Sequence, residues 1–222
     1  MRMRIAPGSL WVAYTITNNA LVQPLLPPSL ELTACPLLDD DRATFPSPKL
    51  LFNAYRVDSG VWMQGMRTEI LTLGRHRSTG ATHLVVLDCF TNTMQWDPVR
   101  GVTGPNAQFF APPSRSGRTG VALGMSNGRD RFLLRADRAA ERPIHETFAV
   151  QANLACYYST VDRPYPMTFD NQTITKPVRQ LRPYELVNTF WTEVRSATPS
   201  HVFCHDHAMS FDVQVTSFLK DA

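Results

Sequence analysis

Proline and glycine interrupt this chain so often that they divide it into many short segments. The 222 residues include 17 prolines and 11 glycines, scattered over the whole length. Between the breaks lie short runs rich in aromatic and β-branched residues, a composition typical of β-strands. The predicted strands span 10–17, 30–32, 50–57, 60–73, 81–94, 107–111, 119–125, 130–136, 146–158, 166–170, 173–179 and 202–218.

Helices are predicted to be few and short. Asn18 or Asn19 can cap one that stops at Pro27. Residues 183–195 begin with Pro183 and carry apolar side chains at three- and four-residue spacing, which predicts a second helix, and 95–106 allows a third. Many strands with two or three short helices predict a mainly β (α+β) fold, an antiparallel β-barrel or sandwich, in one domain over residues 1–222.

Composition and motifs exclude several classes of function. The net charge of +3 is small and evenly spread, which disfavours a nucleic-acid partner. No run of about 18 apolar residues occurs, so we expect no membrane association and a cytoplasmic protein. Phosphate-binding glycine loops and paired Cys-x-x-Cys motifs are absent from the sequence, which predicts that no nucleotide or other cofactor is used.

The N-terminal half resembles the acetoacetate decarboxylase family. The order of a strand, a short helix, Leu-Leu-Pro-Pro and a Leu-Glu-Leu strand over residues 12–32 matches the opening of that family. Residues 60–64, Gly-Val-Trp-Met-Gln, resemble its Gly-x-Tyr-x-Glu strand. Arg100, Gly104 and Pro105 resemble its Arg-Glu-x-x-Gly-x-Pro-Lys motif with one residue missing. The resemblance covers roughly residues 10–110 and implies the family's β-barrel.

The resemblance also shows where the chain departs from the family's chemistry. Family members decarboxylate a β-keto acid through a Schiff-base lysine. At that position this sequence has Asn106, or Ala107 if the missing residue is placed differently. Gln64 stands at the strand glutamate, and Thr15 stands at the arginine that meets the substrate carboxylate. An asparagine cannot form an imine, so the barrel is expected to survive with a different chemistry.

A histidine pair near the C-terminus provides the second group of candidate residues. If 202–218 is one strand, His205 and His207 share a face with Met209 and therefore point inward. Two such histidines could act in acid–base chemistry, ligate a metal together with a third residue, or serve a structural role. We predict no metal, and a one-residue bulge near Asp206 would turn one ring outward.

Two functions remain in competition. The first is an enzyme that acts on a small or polyketide-derived keto compound without a Schiff base, by enolisation, dehydration, cyclisation or isomerisation. The second is a non-catalytic small-molecule-binding protein with the same fold. We expect the partner to be a small-molecule substrate and the protein to be a homo-oligomer. The predicted catalytic residues are His205, His207, Gln64 and Asn106, and the predicted substrate-binding residues are Trp62, Thr15 and Arg100.

Overall fold

A computed structural model describes most of the chain and confirms a mainly β fold. The described residues are 2–34, 36–38, 47–59, 63–97, 101–112, 120–145, 156–159, 161–165, 167–169 and 176–213. Helical structure in these ranges is limited to the α-helix α1 (Asn19–Val22), which runs into the 3-10 turn Gln23–Leu25. None of the described helices is long and apolar enough to cross a membrane.

The first strands lie in the N-terminal half of the chain. They are β1 (Arg2–Ile5), β2 (Ser9–Thr15), β3 (Leu30–Leu32), β4 (Lys49–Ser59), β5 (Met63–His76), β6 (Thr82–Thr91), β7 (Gln95–Asp97), β8 (Gly101–Thr103) and β9 (Gln108–Phe110). The others are β10 (Gly120–Ser126), β11 (Arg131–Arg142), β12 (Cys156–Tyr158), β13 (Val161–Tyr165), β14 (Met167–Phe169), β15 (Val178–Asn188), β16 (His201–His205) and β17 (Met209–Val213).

Fifteen of these strands form one sheet, and β7 and β8 form a separate hairpin. The main path runs β13-β12-β6-β5-β4-β2-β16-β15-β11-β10-β9, and the described strands do not close it into a continuous barrel. Every pair is antiparallel except β12 with β6. Residues from β2, β4, β5 and β6 share a hydrophobic core with residues from β10, β11 and β15. The two halves of the sheet therefore face each other, as in a sandwich.

The predicted helix over 183–195 is wrong. Residues up to Asn188 belong to β15, where Leu186 pairs with Leu134 and Val187 with Leu133. Pro183 is accommodated because the β11–β15 register shifts beside it. Residues 190–194 form only a turn. Pairing with a long partner strand overrides the helical spacing of the apolar residues. The expected helix in 95–106 is likewise replaced by the β7–β8 hairpin.

The predicted strand over 202–218 is interrupted, which changes the position of one histidine. β16 ends at His205 and β17 begins at Met209. β16 pairs with β2, whereas β17 pairs with β1 and β14, so the chain changes partners at the break. Asp206 anchors the break through Arg138 (3.0 Å) and Arg179 (3.3 Å). His207 is consequently exposed, and the expectation that it points inward with His205 is wrong.

Candidate functional site

The central strands β2, β4, β5, β6 and β16 are buried on both faces. One face carries Val12, Phe52 and Ile70 and packs into the core shared with the other half of the sheet. The second face carries a separate apolar cluster. Its strand residues include Trp11, Ala13, Leu51, Leu71, Leu73, Leu84, Val86 and Phe203, and residues 37, 38, 144, 156 and 178 pack on them. We refer to this side as the second face.

Polar side chains occupy one end of the second face. We call Ser9, Asn53, Tyr55, Arg67, Glu69 and His205 the polar cluster. Directly opposed residues in antiparallel strands project their side chains to the same side of the sheet. His205 is opposite Ser9, Tyr55 is opposite Arg67, and Asn53 is opposite Glu69. The register therefore collects the six side chains in two adjacent rows, next to the apolar cluster.

A charged pair on β5 lies at the end of these rows that is farthest from His205. The Arg67 Nε and Glu69 Oε1 atoms are 2.8 Å apart, and the two side chains are 14% and 13% exposed. Burial acts to lower the pKa of the Arg67 guanidinium, but the acidic groups around it, Cys89, Tyr55 and Glu69, raise that pKa well above its usual range. Arg67 therefore keeps its positive charge, next to a carboxylate that offsets it.

Two tyrosines near the charged pair stay neutral. Burial raises the pKa of the Tyr55 phenol well above 10, and the Glu69 charge raises it further. Burial likewise raises the pKa of Tyr158, on β12, against the opposing effect of Arg67. A neutral phenol can donate a hydrogen bond, so these groups can stabilise negative charge that develops on a ligand oxygen.

His205 is the buried base of the cluster. It is 3% exposed, and its Nδ1 atom has no hydrogen-bond partner among the described residues. Burial, and then the neighbouring His207, lower the pKa of His205 to about 4, while Asp206 acts in the opposite direction. The ring is therefore neutral at neutral pH and is a weaker base than a free histidine, with a nitrogen that can accept a hydrogen bond.

The structure distributes the other predicted site residues around the molecule. The Asn106 side chain is held by the backbone of β6, because its Oδ1 accepts from the Thr91 N–H at 2.7 Å and its Nδ2 donates to the Cys89 carbonyl at 2.9 Å. This places Asn106 along β6, where it is exposed, whereas Ala107 is buried in the other core. Gln64 is exposed near one end of β5.

Thr15 lies at the end of β2, where its Oγ1 accepts a hydrogen bond from Lys49 Nζ at 3.1 Å. It is opposite Lys49 on the second face, beyond the row of Ala13. Trp62 and Arg100 lie outside the described residues. Among the described residues, no three His, Cys, Asp or Glu side chains are placed to share a metal ion.

Sequence reasoning missed the charged pair as a functional element. The signal was present, because Arg67 and Glu69 alternate within a strand whose next residues are almost entirely apolar. Charged side chains are seldom buried unless they are paired, so two of them on one face of a buried strand indicate a built polar site. The usual expectation of a solvated face would be correct only for a strand at the surface.

Comparison with known proteins relates this chain to others by fold alone. No model of a protein family matches the sequence, and no curated protein is significantly similar to it. Among solved structures, the enduracididine biosynthesis enzyme MppR is 13% identical, with a TM-score of 0.53 over 95% of this chain and 86% of that one.

An acetoacetate decarboxylase from Legionella pneumophila is a second solved structure of this kind. It is 12% identical, with a TM-score of 0.52, and the match covers 97% of this chain and 88% of the other. These structural matches cover nearly the whole of this chain, whereas the sequence resemblance covered only roughly residues 10–110. This chain therefore has the acetoacetate decarboxylase-like fold.

Proposed function

We propose that this protein is an enzyme that enolises a small keto compound without forming an imine, and that it does so at the polar cluster. The observation that carries the proposal is His205, a buried neutral imidazole on the same face as the Arg67–Glu69 pair. Buried titratable groups with shifted pKa values, gathered on one side of a sheet, are typical of active sites. The fold supports the proposal by analogy only.

The spacing of the strands sets the distance between the two ends of the polar cluster. β16, β2, β4 and β5 are consecutive in the sheet. Neighbouring strands are about 4.8 Å apart, so the backbones of His205 and Arg67 are separated by about 14 Å. A compound of a few carbon atoms lying over Ser9 and Tyr55 would have the imidazole at one end and the guanidinium at the other.

The proposed step is a proton transfer. His205 takes a proton from the carbon next to the substrate carbonyl, and the electron pair of that C–H bond forms the C=C bond of an enolate. The negative charge then rests on the former carbonyl oxygen, where Arg67 and the neutral phenols of Tyr55 and Tyr158 stabilise it. Return of a solvent-derived proton from His205 to the same carbon gives exchange, and its return to a different carbon gives isomerisation. Loss of a hydroxide that takes the proton from His205 gives dehydration. Attack of the enolate carbon on a second carbonyl of the same compound, whose oxygen takes that proton, gives cyclisation.

The distribution of lysines supports a mechanism without an imine. The sequence contains Lys49, Lys176 and Lys220, and positions 106 and 107 hold asparagine and alanine. Lys49 Nζ donates to Thr15 Oγ1, and Lys176 is exposed. We therefore expect borohydride to trap no keto acid on the protein. A covalent adduct on Lys49 or Lys176 would contradict this and indicate imine chemistry on a relocated amine.

Hydrogen–deuterium exchange tests the proposed activity directly. Pyruvate is a suitable probe because the structurally similar MppR is known in complex with it. In deuterated water, the wild-type protein is expected to replace the methyl protons of pyruvate faster than buffer does, as followed by proton NMR. His205→Gln should abolish this excess, whereas Thr72→Val, a buried substitution on the other face, should keep it. Exchange no faster than buffer, or full exchange in His205→Gln, contradicts the proposal.

A non-catalytic binding protein is the second candidate. It is favoured by Asn106, because the residue at the position of the family's lysine has its amide bonded to the backbone of β6. Binding of pyruvate in calorimetry without any excess deuterium exchange would support this candidate. Homo-oligomeric assembly, a cytoplasmic location and site roles for Gln64, His207, Thr15, Trp62 and Arg100 stay predictions.

A further inference from the structure

The polar cluster contains a buried hydrogen bond that the proposed proton transfer does not use. Ser9 is completely buried and Asn53 is 6% exposed. The Ser9 Oγ donates to Asn53 Oδ1 at 3.0 Å. The two residues are diagonal neighbours on adjacent strands, since Leu10 is opposite Ala54. A hydrogen bond this well buried fixes the orientation of the Asn53 amide.

The neighbours of Asn53 explain the direction of the amide. Asn53 is opposite Trp11 on β2 and opposite Glu69 on β5. The orientation with Oδ1 toward Ser9 puts the amide nitrogen, which carries two N–H donors, on the side of the Glu69 carboxylate. The reverse orientation would place a carboxamide oxygen beside a carboxylate, which is unfavourable in a buried site. The donors therefore face the charged pair.

We propose that Asn53 is a catalytic residue that donates from Nδ2 to the carbonyl oxygen of the substrate, and that Ser9 is a positioning residue that fixes the direction of this amide. The inference rests on the proposed function for the location of the substrate. The hydrogen bond from Asn53 becomes stronger as the enolate oxygen gains charge, so it lowers the barrier to proton removal. Ser9 contributes by keeping the donor oriented before the substrate arrives.

Steady-state exchange kinetics with pyruvate in deuterated water separate these two roles. Asn53→Leu removes the donor, and we expect kcat to fall by about 100-fold or more with little change in KM. Asn53→Asp should be at least as slow, because a carboxylate cannot donate and repels the enolate. Ser9→Ala should lower kcat by about 10-fold, and Ser9→Thr, which keeps the hydroxyl, should restore it.

A second measurement does not depend on turnover. The side-chain amide resonances of Asn53, assigned through Asn53→Asp, are followed by nitrogen–proton NMR while pyruvate is added. A shift of these resonances supports the inference, and Ser9→Ala should broaden or move them before pyruvate is added. Resonances that do not move at saturating pyruvate overturn the inference, whether or not exchange is observed.

The two proposals can fail separately. If the wild-type protein exchanges pyruvate protons and Asn53→Leu keeps the wild-type kcat, the role of Asn53 is refuted while the proposed function stands. If the wild type does not exchange, the proposed function fails, and the NMR titration alone decides whether Asn53 contacts the ligand. If the Ser9 and Asn53 variants have a lower melting temperature and an unchanged kcat, the hydrogen bond is purely structural and the inference is overturned.

Discussion

The buried imidazole of His205 links stability to pH. Its pKa is lowered to about 4, whereas an unfolded histidine titrates near 6.5. Between these values the unfolded chain binds the proton more readily, so the stabilisation present above pH 6.5 is lost as the pH falls toward 4. The complete loss amounts to about 3 kcal/mol, of which about 2 kcal/mol should disappear between pH 7 and pH 5.

Urea unfolding at the two pH values measures this loss. His205→Gln cannot titrate, so its free energy of unfolding should depend on pH less strongly than that of the wild type. His207→Gln removes a neighbour that helps to lower the pKa of His205, so this variant should weaken the pH dependence only in part. Parallel pH profiles for His205→Gln and the wild type would show that the ring is not held neutral by burial.

The Arg67–Glu69 pair should show strong coupling between its two residues. Glu69→Met leaves the buried guanidinium without its carboxylate and should destabilise the protein by about 3 kcal/mol. Arg67→Met should cost a similar amount because it strands the carboxylate. The double variant should lose much less than the sum of the two, as measured by chemical unfolding in a double-mutant cycle. Additive losses would mean that the two charges do not stabilise each other.

At the level of residues, the alternation of side chains along a strand predicted burial correctly for His205 but not for His207, where the strand is interrupted. The two-residue period placed His205 on a buried face, and the structure agrees. The same argument failed for His207, because it assumed a single strand through Asp206, whose ion pairs form with residues distant in sequence. Arg67 was passed over although its alternation with Glu69 before an apolar run was a signal, because a single sequence indicates the covering of β5 only indirectly.

At the level of elements, residues 190–194 form a turn where the second helix was predicted, and hydrogen bonds from Arg195 stabilise that turn. The Arg195 Nε, Nη1 and Nη2 atoms donate to the carbonyls of Phe190, Ser196 and Asn188 at 2.9, 2.9 and 2.6 Å. The guanidinium also lies over the Tyr14 ring, 4.1 Å from its centre. Trp191 in this turn has φ of 58°, an unfavourable value for a bulky residue, so the turn depends on these bonds.

We therefore expect Arg195→Lys to destabilise the protein by about 2–4 kcal/mol, although the charge is retained. An ammonium group cannot reproduce the planar arrangement of donors that reaches three carbonyls. Thermal unfolding and hydrogen exchange of the amides in 189–196 measure the effect. Arg182→Lys on the exposed part of β15 is the control and should be neutral. A wild-type melting temperature for Arg195→Lys would contradict this account of the turn.

The ring of Phe110 on β9 packs over Gly124 on β10, which has no side chain and so leaves space for the ring. Phe110 is opposite Gly124, and a Cβ atom at that glycine would lie 2.0 Å from the ring. Gly124→Ala must displace the ring, which is 40% exposed, and should cost about 1 kcal/mol, the low end of the range for overpacking. In a Phe110→Ala background the same substitution should cost little. Equal costs in both backgrounds, measured by urea unfolding, would show that the ring does not depend on the glycine.

Elements that form because of local sequence features were predictable, whereas elements that depend on pairing with a distant strand were not. β2, β3 and the β4–β6 strands follow from alternation and turn residues in the sequence. The α1 segment forms and ends before Pro27 as predicted, although Asn18 makes no side-chain capping bond. Residues 183–188 have apolar spacing that suits a helix, and only their pairing with β11 makes them a strand. The order of strands in the sheet is set by contacts between distant segments, which one sequence does not reveal.

At the scale of the whole molecule, the two ends of the described chain lie in adjacent strands. β1 pairs with β17 from Arg2 opposite Asp212 to Ile5 opposite Met209, and Ile5 also pairs with Val57 of β4. β17 in turn pairs with β14. β1 therefore connects β14 and β17 to the rest of the sheet.

Deletion of residues 1–5 should release β17 and β14 without unfolding the central strands. We expect the amides of 209–213 to lose protection against hydrogen exchange, while those of β4 and β5 keep most of theirs. Substitution of Arg4, which is exposed, by lysine is the control and should change neither region. Uniform loss of protection across the sheet would show that β1 is required for the whole fold.

The pairing of β1 with β17 also means that β1 is synthesised long before its partner strand. β1 is synthesised before the other described strands, and its main partner β17 follows more than 200 residues later in the chain. At elongation rates of about 5–20 residues per second, it waits roughly 10–40 s before that partner exists. During this interval an unpaired edge is exposed next to other nascent chains. Slower translation of the codons between β1 and β17 should therefore increase aggregation during synthesis, even though the finished protein is unchanged.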